Sequence, residues 1–134
     1  MDNDIPPKLC RSLKNLNIDI IHLQEEWPHR FNRRGVLDIN WMPEVAKMDR
    51  IVISCDRRIT RNPRESLEFR RCNLRCYFLY SGFSSQLIDD QYTAIHRLWP
   101  YIALHSETCE YGKAYEVKRD GNIVGMRLSK RNPI

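Results

Sequence analysis

The sequence predicts an α/β fold: a central, mostly parallel β-sheet with helices on both faces. β-Branched apolar runs, typical of strands, alternate along the chain with segments in which apolar residues recur at helical spacing. Such alternation produces parallel strands joined by helical crossovers. In addition, Asp120-Gly121 separates two short apolar runs, which predicts a C-terminal hairpin as an antiparallel addition. With 134 residues, we expect one domain over residues 1–134, with the hairpin at about 112–129.

The N-terminal part is predicted to contain two helices and two strands. Pro6 and Pro7 suit the first turn of a helix, because the N–H that proline lacks would have no partner there. A further strand should lead into Asp2, yet only Met1 precedes it, so we expect a truncated first strand. The expected elements are a helix over 6–16, a strand over 18–23, a loop over 24–37, a helix that begins after Asp38, and a buried strand over 50–55.

The C-terminal part is predicted to contain two helices, a strand and the hairpin. Asn62-Pro63 is a turn signal that also opens a helix. Ser84 or Ser85 caps a second, longer helix, and Pro100 either ends that helix or opens a further short one. The expected elements are a helix over 63–71, a strand over 74–80, a helix from the serine cap to Pro100, and hairpin strands over 114–117 and 123–128.

Composition narrows the class of protein. No apolar run approaches the roughly 20 residues of a membrane span, and the polar opening over 1–4 lacks the features of a signal peptide, so we expect a cytoplasmic protein without membrane contact. Five cysteines, an odd number, predict reduced thiols and not a disulfide framework. The 22 basic and 17 acidic residues give a net charge of +5, which favours nucleic acid or an acidic protein as a partner.

Three aspartates, Asp2, Asp38 and Asp56, stand where an α/β fold would gather their carboxylates at one edge of the sheet. A hard divalent cation such as Mg²⁺ prefers oxygen ligands and can activate a water beside a phosphate. The chemistry indicated is phosphodiester cleavage. Each aspartate alone also fits a helix N-cap, whose side chain accepts a hydrogen bond from a free N–H. The agreement among three positions favours the metal site.

Three stretches of sequence resemble a known family. They are Asp2-Asn3-Asp4-Ile5-Pro6, the run Gly-Val-Leu-Asp-Ile-Asn-Trp-Met-Pro-Glu-Val over 35–45, and the run Ile-Val-Ile-Ser-Cys-Asp-Arg-Arg-Ile over 51–59. In this order they resemble a PIN-like nuclease domain of the VapC-type toxin group, and Arg61-Asn62-Pro63 before a helix and the closing hairpin fit the same group. The resemblance implies a three-layer α/β/α sandwich and a divalent-metal ribonuclease.

The resemblance also implies roles for particular residues. Asp2 matches the aspartate that ends the first strand, Asp38 the acidic residue that opens the middle helix, and Asp56 the aspartate after the next strand. Together they would form the catalytic site and hold Mg²⁺ or Mn²⁺. An acidic residue often follows the third aspartate in related PIN domains, but Arg57 and Arg58 stand there in this chain. The implied partners are RNA and a small cognate antitoxin protein, and the resemblance allows a homodimer.

Arginines are concentrated in the two loops beside Asp38 and Asp56. A guanidinium group can contact phosphate through two parallel hydrogen bonds, so these residues could hold an RNA backbone. The alternative is that they only solvate the loops. The predicted RNA-binding residues are Arg57, Arg58, Arg33, Arg34 and Arg61.

The cysteines and histidines indicate no second metal site. Cys72 and Cys76 are four residues apart, but no second pair stands at zinc-site spacing, and Cys76 within a strand is expected in the core. The four histidines are dispersed, and a lone histidine is more often a hydrogen-bonded packing residue than a ligand.

These observations predict a metal-dependent ribonuclease, the toxin of a toxin–antitoxin pair. The alternative is a PIN-like module that has lost catalysis and binds RNA or a protein partner. Metal titration discriminates between the two, because a bound cation stabilises the native state.

Overall fold

A computed structural model describes residues 42–48, 50–55 and 57–129. The helix predicted over 6–16, the strand over 18–23 and the loop over 24–37 lie outside these residues. The described elements are helix α1 (Met42–Lys47), strand β1 (Ile51–Ser54), helix α2 (Arg58–Arg61), helix α3 (Pro63–Arg71), strand β2 (Arg75–Leu79), a 3₁₀ turn (Phe83–Ser85), helix α4 (Ile88–Ser106), and strands β3 (Lys113–Val117) and β4 (Ile123–Met126).

The four described strands form one sheet in the order β1-β2-β3-β4. Strand β2 pairs in parallel with β1 and β3, and β4 pairs antiparallel with β3. The prediction of a mixed α/β fold with a mostly parallel sheet is confirmed. One detail of the prediction was wrong: only β4 is an antiparallel addition, because the first hairpin strand, β3, is itself the third parallel strand of the sheet.

Side chains alternate between the two faces of the sheet, and each face has its own hydrophobic cluster. One cluster joins alternate strand residues to the buried stripe of helix α4, which contains Ala94, Ile95, Leu98 and Ile102. The other joins the opposite strand face to Phe69 of α3 and to Met42 and Val45 of α1. All five residues of β2 are buried. A central parallel strand covered on both sides has this uniformly buried pattern.

Helix α3 begins and ends where the sequence predicts, because local signals define both termini. The Asn62 Oδ1 atom accepts hydrogen bonds from the N–H groups of Arg64 (3.0 Å) and Glu65 (3.1 Å), which caps the first turn. At the other end, Asn73 has φ 54°, its N–H donates to Arg70 O, and the Leu74 N–H donates to Phe69 O. This is a Schellman motif.

Helix α4 corrects two predictions. It begins at Ile88 with no side-chain cap, because Ser84 and Ser85 belong to the preceding 3₁₀ turn, and it continues through Pro100 to Ser106. An interior proline costs about 3 kcal/mol. Burying a large aliphatic side chain contributes about 1.5–3 kcal/mol, and Leu98 and Ile102, on either side of the proline, are fully buried. Packing therefore offsets the cost. Within the part of the chain that is described, no helix is long and apolar enough to cross a membrane.

The hairpin turn between β3 and β4 is a loop of several residues. The Lys118 N–H donates to Asn122 O (2.8 Å), and the Gly121 N–H donates to Lys118 O (3.0 Å). Asp120 Oδ1 accepts from the Asn122 N–H, and Gly121 has φ 92°, a conformation that suits glycine. The predicted hairpin at Asp120-Gly121 is confirmed.

The segment after β4 connects the hairpin to helices α2 and α3. The Ser129 N–H donates to Thr60 O at 2.8 Å, and Arg70 Nη1 donates to Ser129 O at 2.8 Å. Leu128 is buried in the same cluster as Phe69. These contacts hold helix α2, which the sequence analysis did not predict, in a fixed position after β1.

Candidate functional site

The three proposed metal ligands, Asp2, Asp38 and Asp56, lie outside the described residues, as do Arg33 and Arg34. Their role therefore stays a prediction. Among the residues that the structure describes, no group of three or more His, Cys, Asp or Glu side chains is arranged to hold a metal ion.

The described residues nevertheless define the edge of the sheet to which the prediction points. In the parallel register, Ser54 of β1 lies beside Phe78 of β2, and Phe78 lies beside Glu116 of β3. The last residues of these strands and the residues after them thus meet at one border, which we call the carboxyl edge: Cys55 and Arg57, Leu79 to Gly82, and Glu116 to Arg119. Ligands of open α/β sheets bind at such borders. Cys55 and Arg57 are the chain neighbours of Asp56.

Arg57 connects the ends of all three parallel strands. It follows β1, and its Nη2 atom donates to Leu79 O at 3.1 Å and to Glu116 Oε2 at 3.0 Å. The two charged side chains are only 22% and 24% exposed, so their attraction is less screened than that of a surface pair. The Arg57 carbonyl also accepts from the Thr60 N–H and from Thr60 Oγ1. Arg57 is thus held against the sheet, and the prediction that it binds RNA remains untested.

The predicted RNA-binding residues Arg58 and Arg61 are the first and last residues of helix α2. Arg61 is exposed to solvent. Helix α2 begins directly after Arg57, so its first residue stands close to the carboxyl edge.

A second arginine at the carboxyl edge was missed by the sequence analysis. The Arg119 guanidinium lies over the Tyr80 ring, 4.6 Å from its centroid, and Arg97 Nη1 donates to the Arg119 carbonyl. Gly82 has φ 93°, a backbone conformation that suits glycine, and a Cβ there would stand 3.4 Å from Arg119 Nη2. Tyr80 is buried, whereas Arg119 is exposed.

The loop after β2 is also anchored. The Tyr80 hydroxyl donates to Gln86 Oε1 at 2.8 Å, and Gln91 Nε2 donates to Phe83 O at 3.0 Å from a buried position. The Tyr80 ring beneath Arg119 thus lies in a loop that is bound to helix α4 through Gln91. In the sequence, the turn pair Ser81-Gly82 after a buried apolar run could have indicated this loop. It could not have indicated Arg119, which is distant in the chain.

The described cysteines and histidines have structural contacts. Cys76 is fully buried in the core, as predicted. The Cys72 thiol donates to Glu68 Oε1, and burial, followed by this hydrogen bond, raises the pKa of Cys72. The Tyr77 hydroxyl pairs with His105 Nδ1 at 2.8 Å, which gives this histidine the packing role expected of it. Burial is also the main cause that raises the pKa of Tyr77.

Comparison with known proteins gives a family match. A family model described as a PIN like domain matches residues 1–81 of the 134-residue chain. The matched range contains all three proposed aspartates and ends just after strand β2. No curated protein and no solved structure matches the chain significantly.

Proposed function

Because this chain belongs to the PIN-like domain family, we propose that it is a metal-dependent ribonuclease that hydrolyses phosphodiester bonds at the carboxyl edge. PIN domains are generally nucleases that act on RNA or other nucleic acids, commonly with divalent metals. The single observation that carries the proposal is the family match over residues 1–81, which includes Asp2, Asp38 and Asp56.

The three aspartates are the proposed metal ligands. Carboxylate oxygens are the donors that Mg²⁺ and Mn²⁺ prefer, so the residue types fit such a cation. When bound, the cation would supply charge stabilisation at the phosphate and activate a water. For Asp56, the proposal is supported by its chain neighbours Cys55 and Arg57, which lie at the carboxyl edge.

The basic side chains at this edge are proposed to position RNA. The exposed Arg119 guanidinium lies over the ring of the buried Tyr80. A guanidinium suits phosphate because it can donate two parallel hydrogen bonds to it. Arg58 and Arg61, the first and last residues of helix α2, and Arg33 and Arg34 are assigned the same role from sequence. Arg57 would act mainly by keeping the strand ends in register, since it is bound to Leu79 and Glu116.

We also propose that the enzyme is the toxin of a toxin–antitoxin pair, with a single three-layer α/β/α domain. The described helices contact both faces of the sheet, which supports the three layers. A small acidic antitoxin would suit the basic residues of the carboxyl edge. Co-purification of the chain with the product of a neighbouring reading frame tests this part, and a homodimer would be detected in the same experiment.

The ribonuclease proposal is tested by RNA cleavage with Mg²⁺ or Mn²⁺, with and without chelator. Asp38→Asn and Asp56→Asn should each lower the cleavage rate at least about 100-fold, because an amide is a weaker ligand and carries no charge. Glu107→Gln, an exposed residue after the C-terminus of α4, is the matched control and should cleave normally. Cleavage that survives both aspartate substitutions would falsify the site. A wild type that binds RNA but neither cleaves it nor is stabilised by metal would instead support the inactive, RNA-binding alternative.

A further inference from the structure

A pocket of about 260 Å³ lies at the end of the sheet opposite the carboxyl edge. Its lining comes from residues that precede or begin the three parallel strands: Ala46, Arg50, Cys72, Asn73, Leu74, Arg75 and Tyr111. Strand β2 separates this pocket from the carboxyl edge by about 13 Å, at 3.3 Å per residue. The pocket is therefore not part of the proposed catalytic site.

The lining is rich in hydrogen-bond donors and positively charged. Among the described residues that line the pocket, two, Arg50 and Arg75, are arginines, and none is Asp or Glu. An arginine has five N–H donors in a rigid fork, so it can donate to a neighbouring protein group and to a bound anion at the same time. Asn73 adds an amide group. This combination suits an anion whose oxygens accept several hydrogen bonds.

The structure holds Arg75 in place before any ligand arrives. Arg75 Nη1 donates to Ser106 O at 3.2 Å, and the guanidinium lies 4.4 Å from the centroid of the Tyr111 ring. Arg75 is 9% exposed, whereas Tyr111 is 54% exposed, so the tyrosine forms the outer wall. A cation fixed by packing loses little side-chain entropy when it binds an anion. On the other wall, the Schellman motif fixes Asn73 and Leu74.

The volume of the pocket limits the size of the ligand. At about 260 Å³ it is smaller than the pockets that enclose drug-sized compounds, which begin at about 300 Å³. A phosphate group and part of the moiety attached to it would fill this space.

We propose that this pocket binds a phosphate group, carried either by a free mononucleotide or by a single-stranded RNA chain. Arg50 and Arg75 would hold the phosphate oxygens, and Tyr111 would contact the attached sugar or base. The proposal does not depend on nuclease activity, because the pocket and the carboxyl edge have no described residue in common.

Isothermal titration calorimetry of the full chain, in the presence of EDTA to prevent cleavage, tests the pocket. The ligands are inorganic phosphate, a nucleoside 5′-monophosphate and a short single-stranded RNA. Arg50→Gln removes one cation, and Ala46→Glu places a carboxylate in the lining. Each should weaken phosphate binding about tenfold, the loss expected for one charged hydrogen bond. Arg64→Gln removes an exposed arginine of α3 that does not line the pocket, and it should bind like wild type.

The three ligands distinguish the two sources of phosphate. RNA binding that is tighter than mononucleotide binding, and that Ala46→Glu weakens, assigns the pocket to the RNA chain. Equal affinities assign it to a free phosphate compound. Circular dichroism checks that each variant is folded, and Ala46→Glu decides alone if Arg50→Gln unfolds. The proposal is overturned if wild type binds none of the three ligands, or if Ala46→Glu binds phosphate as tightly as wild type does.

Discussion

Replacing Arg57 tests whether this residue stabilises the fold by joining the strand ends at the carboxyl edge. Arg57→Ala removes two hydrogen bonds from one Nη2 atom, to Leu79 O and to Glu116 Oε2. It also leaves the Glu116 carboxylate, 24% exposed, without this cation. A hydrogen bond to a charged group contributes about 1.5–3 kcal/mol. Because the pair is largely shielded from solvent, we expect Arg57→Ala to lower the free energy of unfolding by about 2 kcal/mol.

Urea denaturation measures this change, and Arg61→Ala provides the control. Arg61 is an exposed arginine on the adjacent helix α2, and its substitution should change stability by less than about 0.5 kcal/mol. A double-mutant cycle with Glu116→Ala isolates the pair and should give a coupling energy of at least about 0.5 kcal/mol. If Arg57→Ala and Arg61→Ala have equal, small effects, and the cycle shows no coupling, Arg57 does not connect the strand ends.

Two further predictions concern the hairpin and the buried tyrosine. Gly121→Ala should destabilise the fold by about 1–2 kcal/mol, because φ is 92° and a Cβ would lie 2.9 Å from the Tyr101 ring, whereas Gly125→Ala, with its nearest atom at 4.0 Å, should be close to neutral; equal urea midpoints for the two variants would contradict this. The raised pKa of Tyr77 means that the folded state holds the hydroxyl proton more tightly than the unfolded chain does. The hydroxyl therefore contributes fully to the free energy of unfolding below its ordinary pKa of 10.0, and this contribution is lost as pH rises above that value. Tyr77→Phe should therefore flatten the alkaline loss of stability and, by removing the bond to His105, cost about 1 kcal/mol at neutral pH; an unchanged alkaline limb in pH-dependent unfolding would refute the assignment.

Elements defined by local signals were predictable from sequence. Helix α3 matches its prediction at both ends, because Asn62 and Pro63 determine its start and the αL residue Asn73 follows its end. Strand β2 was predictable for a related reason: a short apolar run between two turns gives little choice of structure.

Features that depend on tertiary packing were not predictable in the same way. Pro100 is a local signal against helix, but the buried residues on both sides of it contact the sheet, and that burial decides the outcome. The parallel pairing of β3 with β2 is likewise invisible to a hairpin pattern, which reports only on adjacent strands.

The candidate site shows the same division. The sequence pointed to the end of β1 because Asp56 follows a buried apolar run, and the described strands place the neighbours of Asp56 at the carboxyl edge. It did not point to Arg119, whose position on Tyr80 depends on two strands meeting in space. No short-range pattern encodes such a contact.

The most direct test of the central claim is the rate of RNA cleavage by wild type and by Asp56→Asn, measured at saturating Mg²⁺ and again with excess chelator. We predict that wild type cleaves RNA and that chelator abolishes this cleavage. The Asp56→Asn rate should be at least about 100-fold lower, since loss of a group that only supports a metal ligand already costs about 10–100-fold. Equal rates for the two proteins, or cleavage that persists in chelator, would contradict a metal-dependent ribonuclease site at Asp56.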